Sequence, residues 1–287
     1  MPETKPTVAV LTALSLEYDA VLAHLTDVEK VTHPRYGTRA RRGQLPGTPW
    51  QVALVDMGEG TLTAATLTER VLSWLNPEAV LFVGVAGGLK DDIAIGDVVV
   101  ATKVYAIQGG KQTPDGFLHR PEAWRASHRL EQAARDALRG KAHFKPIAVA
   151  DVVLADSDSQ LAQRIRTTYN DAVAVEMESS GVAHAVHLAG EAGVLIIRGI
   201  SDKADADKSR ADAEGSQPRA AANAATAAVA VLHEVQPKQS QAHSDPREGP
   251  FRDGSTYGGD HLDFRGSTFN GPFTAKSVGQ HPVDDAR

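Results

Sequence analysis

The chain has 287 residues, 42% of them hydrophobic, enough for one large α/β core. A formal net charge of −6 without any Lys/Arg block argues against a dedicated nucleic-acid or anionic-membrane surface, so a small ligand is expected. There is no cysteine, which excludes disulfides, thiolate catalysis and Cys-based zinc sites. The opening MPETKPTVAVLTAL is too short and too lightly charged for a secretory signal, and no apolar run reaches membrane-span length, so a cytoplasmic protein is expected.

Residues 8–14 form an apolar run that predicts a first buried strand, and Ser15-Leu16-Glu17 then turns into a helix running towards Leu25. Glu17 sits at that junction, where a first-turn acid is also an ordinary helix-start device. Residues 51–57 predict another strand and 61–75 a helix, with Leu62, Ala65, Leu67, Val71 and Trp74 as its candidate buried side. The apolar stretch 79–83 is a third strand, running into Gly84-Val85-Ala86-Gly87-Gly88-Leu89. Glycines there read as a tight turn whose N–H groups can approach a ligand. Neither the P-loop nor the dinucleotide fingerprint is matched.

Further along, 95–97 reads as a turn and 98–101 as a strand, while the polar, glycine-containing 107–120 predicts a surface loop. Residues 122–138 are helical in pattern, 146–154 read as a strand, 158–169 as a short amphipathic helix and 219–235 as a closing alanine-rich helix. This alternation predicts a three-layer α/β/α sandwich with a mostly parallel, mixed central sheet, spanning residues 1–235. From 236 to 287 the composition turns polar and rich in Gly, Pro, Ser and Asp, which predicts a disordered tail. Within it, aromatic and β-prone residues alternate with small polar ones near 264–278. That pattern marks 260–281 as a candidate self-association segment, with an inert solvated tail as the competing reading.

The chemistry concentrates between 174 and 205. Glu176-Met177-Glu178 is predicted to open a helix, and Ser201-Asp202 follows the β-branched run Val194-Leu195-Ile196-Ile197, read as a buried strand. Helix N-termini favour carboxylates, and the carboxyl ends of strands in α/β sheets are where ligands bind. Two acids are therefore expected to face one crevice, although both positions are also common capping sites. His184 and His187 lie three apart with no third ligand nearby and read as packing or surface residues, so no metal site is expected.

Taken together, TALSLEYDAV, GVAGGL with IGDVVVA after it, AVEMESSGVAH and RGISDKAD resemble the purine nucleoside phosphorylase and uridine phosphorylase superfamily over roughly residues 8–235. The nearest branch is that of the 5′-methylthioadenosine/S-adenosylhomocysteine nucleosidases. The resemblance implies cleavage of a purine N-glycosidic bond through an oxocarbenium-like state, with no metal or organic cofactor. It makes Asp202 the acid that protonates the purine, steadied by Ser201, and Glu17 the group that orients the attacking water. It assigns Glu178, Met177 and neighbouring Glu176 to the ribose side. Val85 and Gly87 lie in the glycine stretch, where the family pattern has a serine in place of Val85. Val153 and Leu154 stand where an aromatic usually stacks on the base. An acid at the nucleophile position repels phosphate, so hydrolysis is expected over phosphorolysis.

Homodimers are implied too. The variant pattern with its tail also resembles nucleosidase-type effector modules of bacterial and fungal defence proteins, which would act on adenine nucleotides and engage a sensor through the tail. A catalytically silent nucleoside-sensing module is the remaining alternative.

Overall fold

The computed structural model describes residues 5–114 and 116–238. Its first half runs β1 (Thr7–Thr12), α1 (Ser15–Leu22), β2 (Thr26–Thr32), β3 (Arg39–Gln44), β4 (Gln51–Asp56), α2 (Thr61–Leu75), β5 (Ala79–Gly88) and β6 (Val98–Ala106). There follow β7 (Gly110–Thr113), β8 (Gly116–His119), β9 (Glu122–Arg125), α3 (His128–Ala137), β10 (His143–Val149) and α4 (Gln160–Thr168). Last come β11 (Ala174–Glu176), α5 (Ser179–Ala189), β12 (Gly193–Asp202), α6 (Lys208–Ala213) and α7 (Ser216–Glu234).

At the centre, β4, β1, β5 and β12 lie side by side and parallel. Both of their faces are covered, which is why they read as unbroken apolar runs and not as alternation. On one side α1, α3 and α7 bury Val8, Val10, Leu54, Leu81, Leu195 and Ile197. On the other, α2 and α5 cover Leu11, Val55, Phe82 and Ile196. This is the expected α/β architecture, a central sheet between two helical layers. Small residues set how closely the layers approach. A Cβ on Gly199 would run into the Ala220 carbonyl of α7, and one on Gly181 into the Thr61 carbonyl at the start of α2.

The sheet departs from a simple open one. β6 pairs antiparallel with β12, β10 and β11 continue from it in parallel, and β11 then returns to pair antiparallel with β5, Val175 opposite Gly87. The strands β5, β12, β6, β10 and β11 thus close into a ring. The glycine stretch expected to be a turn is the extended last part of β5, and a Cβ on Gly88 would press on Ile200 of β12.

Other expectations are also corrected. Residues 122–125 pair with β6 as β9, so the helix expected from 122 begins only at His128. Ladder hydrogen bonds there outweigh the helical preference of Glu and Ala. The expected loop over 107–120 holds the β7–β8 hairpin. The strand expected to reach 154 stops at Val149, leaving Val152 and Val153 exposed, and β2 and β3 add an antiparallel edge. The proposed self-association segment lies outside the described residues. Among the described residues no helix is long and apolar enough to cross a membrane.

Candidate active site

A cavity of about 200 Å³ opens where β1 gives way to α1, along the end of β5, and at the ends of β11 and β12. Its wall carries Glu17, Val85, Gly87, Val153, Leu154, Glu176, Met177, Glu178, Ser201 and Asp202, every residue singled out in the sequence for catalysis or substrate binding. It also carries Glu59, Val152, Lys208 and Gln217, which sequence reasoning did not identify.

Glu17 is held rigidly. Its Oε2 accepts the N–H groups of Ala13 (2.9 Å) and Leu14 (3.0 Å), and its Oε1 accepts that of Val85 (2.7 Å) from β5. Burial pushes its carboxyl above the usual carboxylate range, against the opposing pull of Arg198 and those three N–H groups. The close approach to β5 depends on Gly84, where a Cβ would collide with both Glu17 Oε1 and Arg198 Nη1.

Glu176 and Glu178 have different surroundings although they are two residues apart. Glu176 ends β11 with both oxygens hydrogen-bonded. Arg198 Nη2 donates to it at 2.6 Å, as do the N–H groups of Glu178 (3.2 Å) and Ser179 (3.1 Å) at the start of α5. Arg198 is 1% exposed and stacks 3.9 Å over the Phe82 ring, so this pair is a buried structural clamp. Glu176 therefore lines the cavity with Oε2 taken up by Arg198 and the start of α5, and Oε1 meeting only the shared Ser179 N–H.

Glu178 occupies the N-cap position of α5 instead of sitting inside the helix, and accepts a single hydrogen bond, from Gly60 N–H at 3.0 Å. Burial, then repulsion from Glu176, push its carboxyl up to about 7, with Arg198 and the Gly60 N–H pulling the other way. The Met177 carbonyl between them accepts the Thr61 hydroxyl at 2.6 Å.

Ser201 and Asp202 are the last two residues of β12, not a loop after it. Asp202 Oδ1 accepts Ala204 N–H at 2.8 Å, while Oδ2 accepts the Ser201 hydroxyl at 2.9 Å and Lys208 Nζ at 2.8 Å. Ala204 has a positive φ of 51°, a conformation costly for alanine, and this aims its N–H at the carboxylate. A Cβ on Gly87 would stand 2.9 Å from Asp202 Oδ1, so that glycine keeps the acid accessible from β5. Val153 is 60% exposed and Val152 53% exposed at the rim, while Leu154 is buried. His184 is exposed against Trp124, at 5.1 Å between ring centroids, and among the described residues no His/Asp/Glu group has a metal-holding arrangement.

Acids gathered at strand ends in a doubly covered α/β sheet define an enzyme-type cavity for a small polar molecule. The family profile described as "Phosphorylase superfamily" matches residues 7–233, and the chain belongs to that superfamily. A 5′-methylthioadenosine/S-adenosylhomocysteine nucleosidase of Chromohalobacter salexigens is 27% identical over 208 residues, covering 68% of this chain and 83% of the relative. The crystal structure of the nucleosidase of the same name from Neisseria meningitidis, in complex with methylthio-immucillin-A, superposes with a TM-score of 0.70 at 27% identity. It covers 81% of this chain and 100% of that one. The futalosine hydrolase of Helicobacter pylori, 20% identical, shares the fold with a TM-score of 0.70 over 80% of this chain and 99% of its own.

Proposed function

We propose that the chain hydrolyses the N-glycosidic bond of an adenine nucleoside of the methylthioadenosine or S-adenosylhomocysteine type. The observation that carries this reading is the convergence of Glu17, Glu178 and Asp202, distant in sequence, on one cavity wall. The nucleosidase relatives and the inhibitor-bound structural neighbour support it.

Departure of the purine leaves negative charge on the base and positive charge on the sugar, so the site must protonate the first and stabilise the second. Asp202, steadied by Ser201 and Ala204, is placed to protonate the base. Glu178 has one oxygen committed to Gly60 and the other open, so it can accept hydrogen bonds from ribose hydroxyls and offset the sugar's developing charge. The Met177 backbone lies on the same side. Glu17, fixed by three N–H groups, is the acceptor that orients the attacking water.

Water rather than phosphate is the nucleophile because the cavity repels an anion. Glu17, Glu59, Glu176, Glu178 and Asp202 line it, and the only lining Lys or Arg among the described residues is Lys208, already paired with Asp202. Arg198, the other nearby cation, is closed off by Glu176. The aliphatic wall of Val152, Val153 and Leu154 offers the base dispersion contact without ring stacking.

Incubating the full chain with methylthioadenosine, S-adenosylhomocysteine, adenosine and ATP, each with and without phosphate, tests the reading. Free adenine from the first two, at a rate indifferent to phosphate, is expected. Adenine from ATP alone would favour the nucleotide-cleaving effector, and none from any of them would favour the silent sensor.

A further inference from the structure

The nucleosidase reading leaves the origin of the proton on Asp202 open. Its carboxyl has three donors aimed at it: the Ala204 amide, the Ser201 hydroxyl and the Lys208 ammonium, at 2.8, 2.9 and 2.8 Å. The amide and the ammonium can only donate to it, one on each oxygen, while the Ser201 hydroxyl also reaches the Ala86 carbonyl at 3.4 Å, so the contact able to resupply a proton is the ammonium. Of the three donors only the ammonium can surrender a proton within the range of an enzyme reaction, since amides and alcohols are far weaker acids. Lys208 also lines the cavity itself.

We propose that Lys208 is the proton source for Asp202, so that ammonium and carboxylate together form one acid with a single transferable proton. This rests on the nucleosidase reading above. Lys208 lies in the first turn of α6 and touches Asp202 of β12 at 2.8 Å and Asp212 of its own helix at 3.4 Å. Lys203, beside Asp202 in sequence, is turned away towards the carbonyls of Lys90 and Ile93. Across the cavity stand Glu17, Glu59, Glu176 and Glu178. Partial burial works against the Lys208 charge, but Asp202 and then Asp212 outweigh it and hold the ammonium above the ordinary lysine range. The pair therefore keeps its proton throughout neutral pH.

The bond between sugar C1′ and the purine nitrogen breaks, and its electron pair goes to the purine. A proton passes from Lys208 Nζ to Asp202 Oδ2, and the carboxyl so formed passes it on to a ring nitrogen of the purine. Lys208 is left a neutral amine, Asp202 a carboxylate and the purine neutral. Water adds to the sugar cation and sheds its proton by way of Glu17 to solvent, from which Lys208 is recharged. Lys208 acts through Asp202, as its positioning and proton-supplying partner.

The test follows adenine release from methylthioadenosine in single turnovers between pH 5 and 10, with the full chain. Lys208→Met, Lys208→Arg and Lys208→Cys alkylated with 2-bromoethylamine are compared with wild type. The chain has no cysteine, so the alkylation is confined to position 208, where it rebuilds a lysine analogue with a more acidic amine. Dividing each variant's rate by the wild-type rate removes the pH dependence that the two share. Lys208→Met is expected to lose at least about 100-fold at pH 8, the scale of general-acid catalysis, and to lose less as the pH falls and solvent supplies the proton. Lys208→Arg keeps the charge but has no proton to give, so it should stay within about tenfold of Lys208→Met.

The alkylated protein should regain most of the rate, with its high-pH limb moved below that of wild type. Full rescue by arginine, or an alkylated protein whose limb coincides with the wild-type one, would overturn the proposal and leave Lys208 a charge clamp. Thermal melting reports whether each variant folds, and if Lys208→Met does not, the comparison of Lys208→Arg with wild type decides. No adenine from wild type would refute the nucleosidase reading itself, and this pairing with it.

Discussion

Asp202 ends a buried strand and Glu17 sits in the first turn of the helix that follows one, and on the proposed reading their surroundings suit them to opposite tasks. Glu17 meets three backbone N–H groups that no solvent fluctuation can remove, so its oxygens are fixed acceptors, suited to orienting a water molecule. Asp202 meets one backbone N–H and two side-chain donors, and side-chain donors can exchange protons and move. On the proposed reading that difference suits Asp202 to the role of the acid, and it yields a sharp expectation for Asp202→Asn. The amide nearly matches the carboxylate in shape but turns an NH2 towards groups that donate to Asp202, so the variant should fold with a lowered Tm. It has no acidic proton, so adenine release should fall by about 100-fold or more. Binding of a nucleoside, followed calorimetrically, should persist. Near-normal turnover would remove Asp202 from the reaction.

Between residues and fold, β5 does most to assemble the site, and it is also the element whose sequence is hardest to read. Gly84, Gly87 and Gly88 invite a turn, because three glycines within five residues ordinarily mark one. They are needed in an extended strand for what a side chain would hit: Glu17 and Arg198 at Gly84, Asp202 at Gly87, Ile200 at Gly88. A lone sequence shows the absent Cβ but not the neighbour that requires it. The parallel centre was legible because strands buried on both faces leave long Val/Leu/Ile runs. The edge strands β2, β3 and β9 were not, since polar, half-exposed segments take their conformation from the ladder they join. In the same way the acids of the site were visible as residue types, whereas Lys208, on a six-residue helix six positions past Asp202, carried no pattern.

Gly84→Ala is the expectation this geometry makes. The added methyl should displace Glu17 and Arg198, costing about 1–3 kcal/mol of stability as overpacking does, and it should lower kcat of the folded enzyme as well. Gly43→Ala, where a Cβ would crowd Leu25 and Thr26 far from the cavity, should cost stability alone. Equal kcat losses in the two variants would disconnect Gly84 from the site.

For the whole molecule, collecting acids around one cavity has an energetic consequence that can be measured without substrate. Glu178 is a carboxylate whose proton is held up to about 7 in the fold, by burial and then by Glu176. In the unfolded chain it titrates near the ordinary glutamate value of 4.5. Between those limits the folded state binds a proton that the unfolded state has lost, so the contribution of this group to stability falls as the pH rises through the window. Fully realised, the shift is worth on the order of 3 kcal/mol, which corresponds to roughly 6–12 °C in Tm for a domain of this size. Glu17, also raised by burial, pushes in the same direction.

Glu178→Gln isolates the effect. The amide oxygen can still accept Gly60 N–H, but there is no charge to repel, so Tm of the variant minus Tm of wild type should climb between pH 5 and pH 8. Titrating groups away from the Glu17, Glu176 and Arg198 cluster cancel in that difference. Added nucleoside should shrink it, since ribose hydroxyls donating to Glu178 favour its charged form and return the lost stability where the enzyme is ligand-bound. A difference flat across the window would mean that Glu178 is solvated in the free protein, and the ribose-binding role argued from its dry, half-satisfied carboxylate would fall with it.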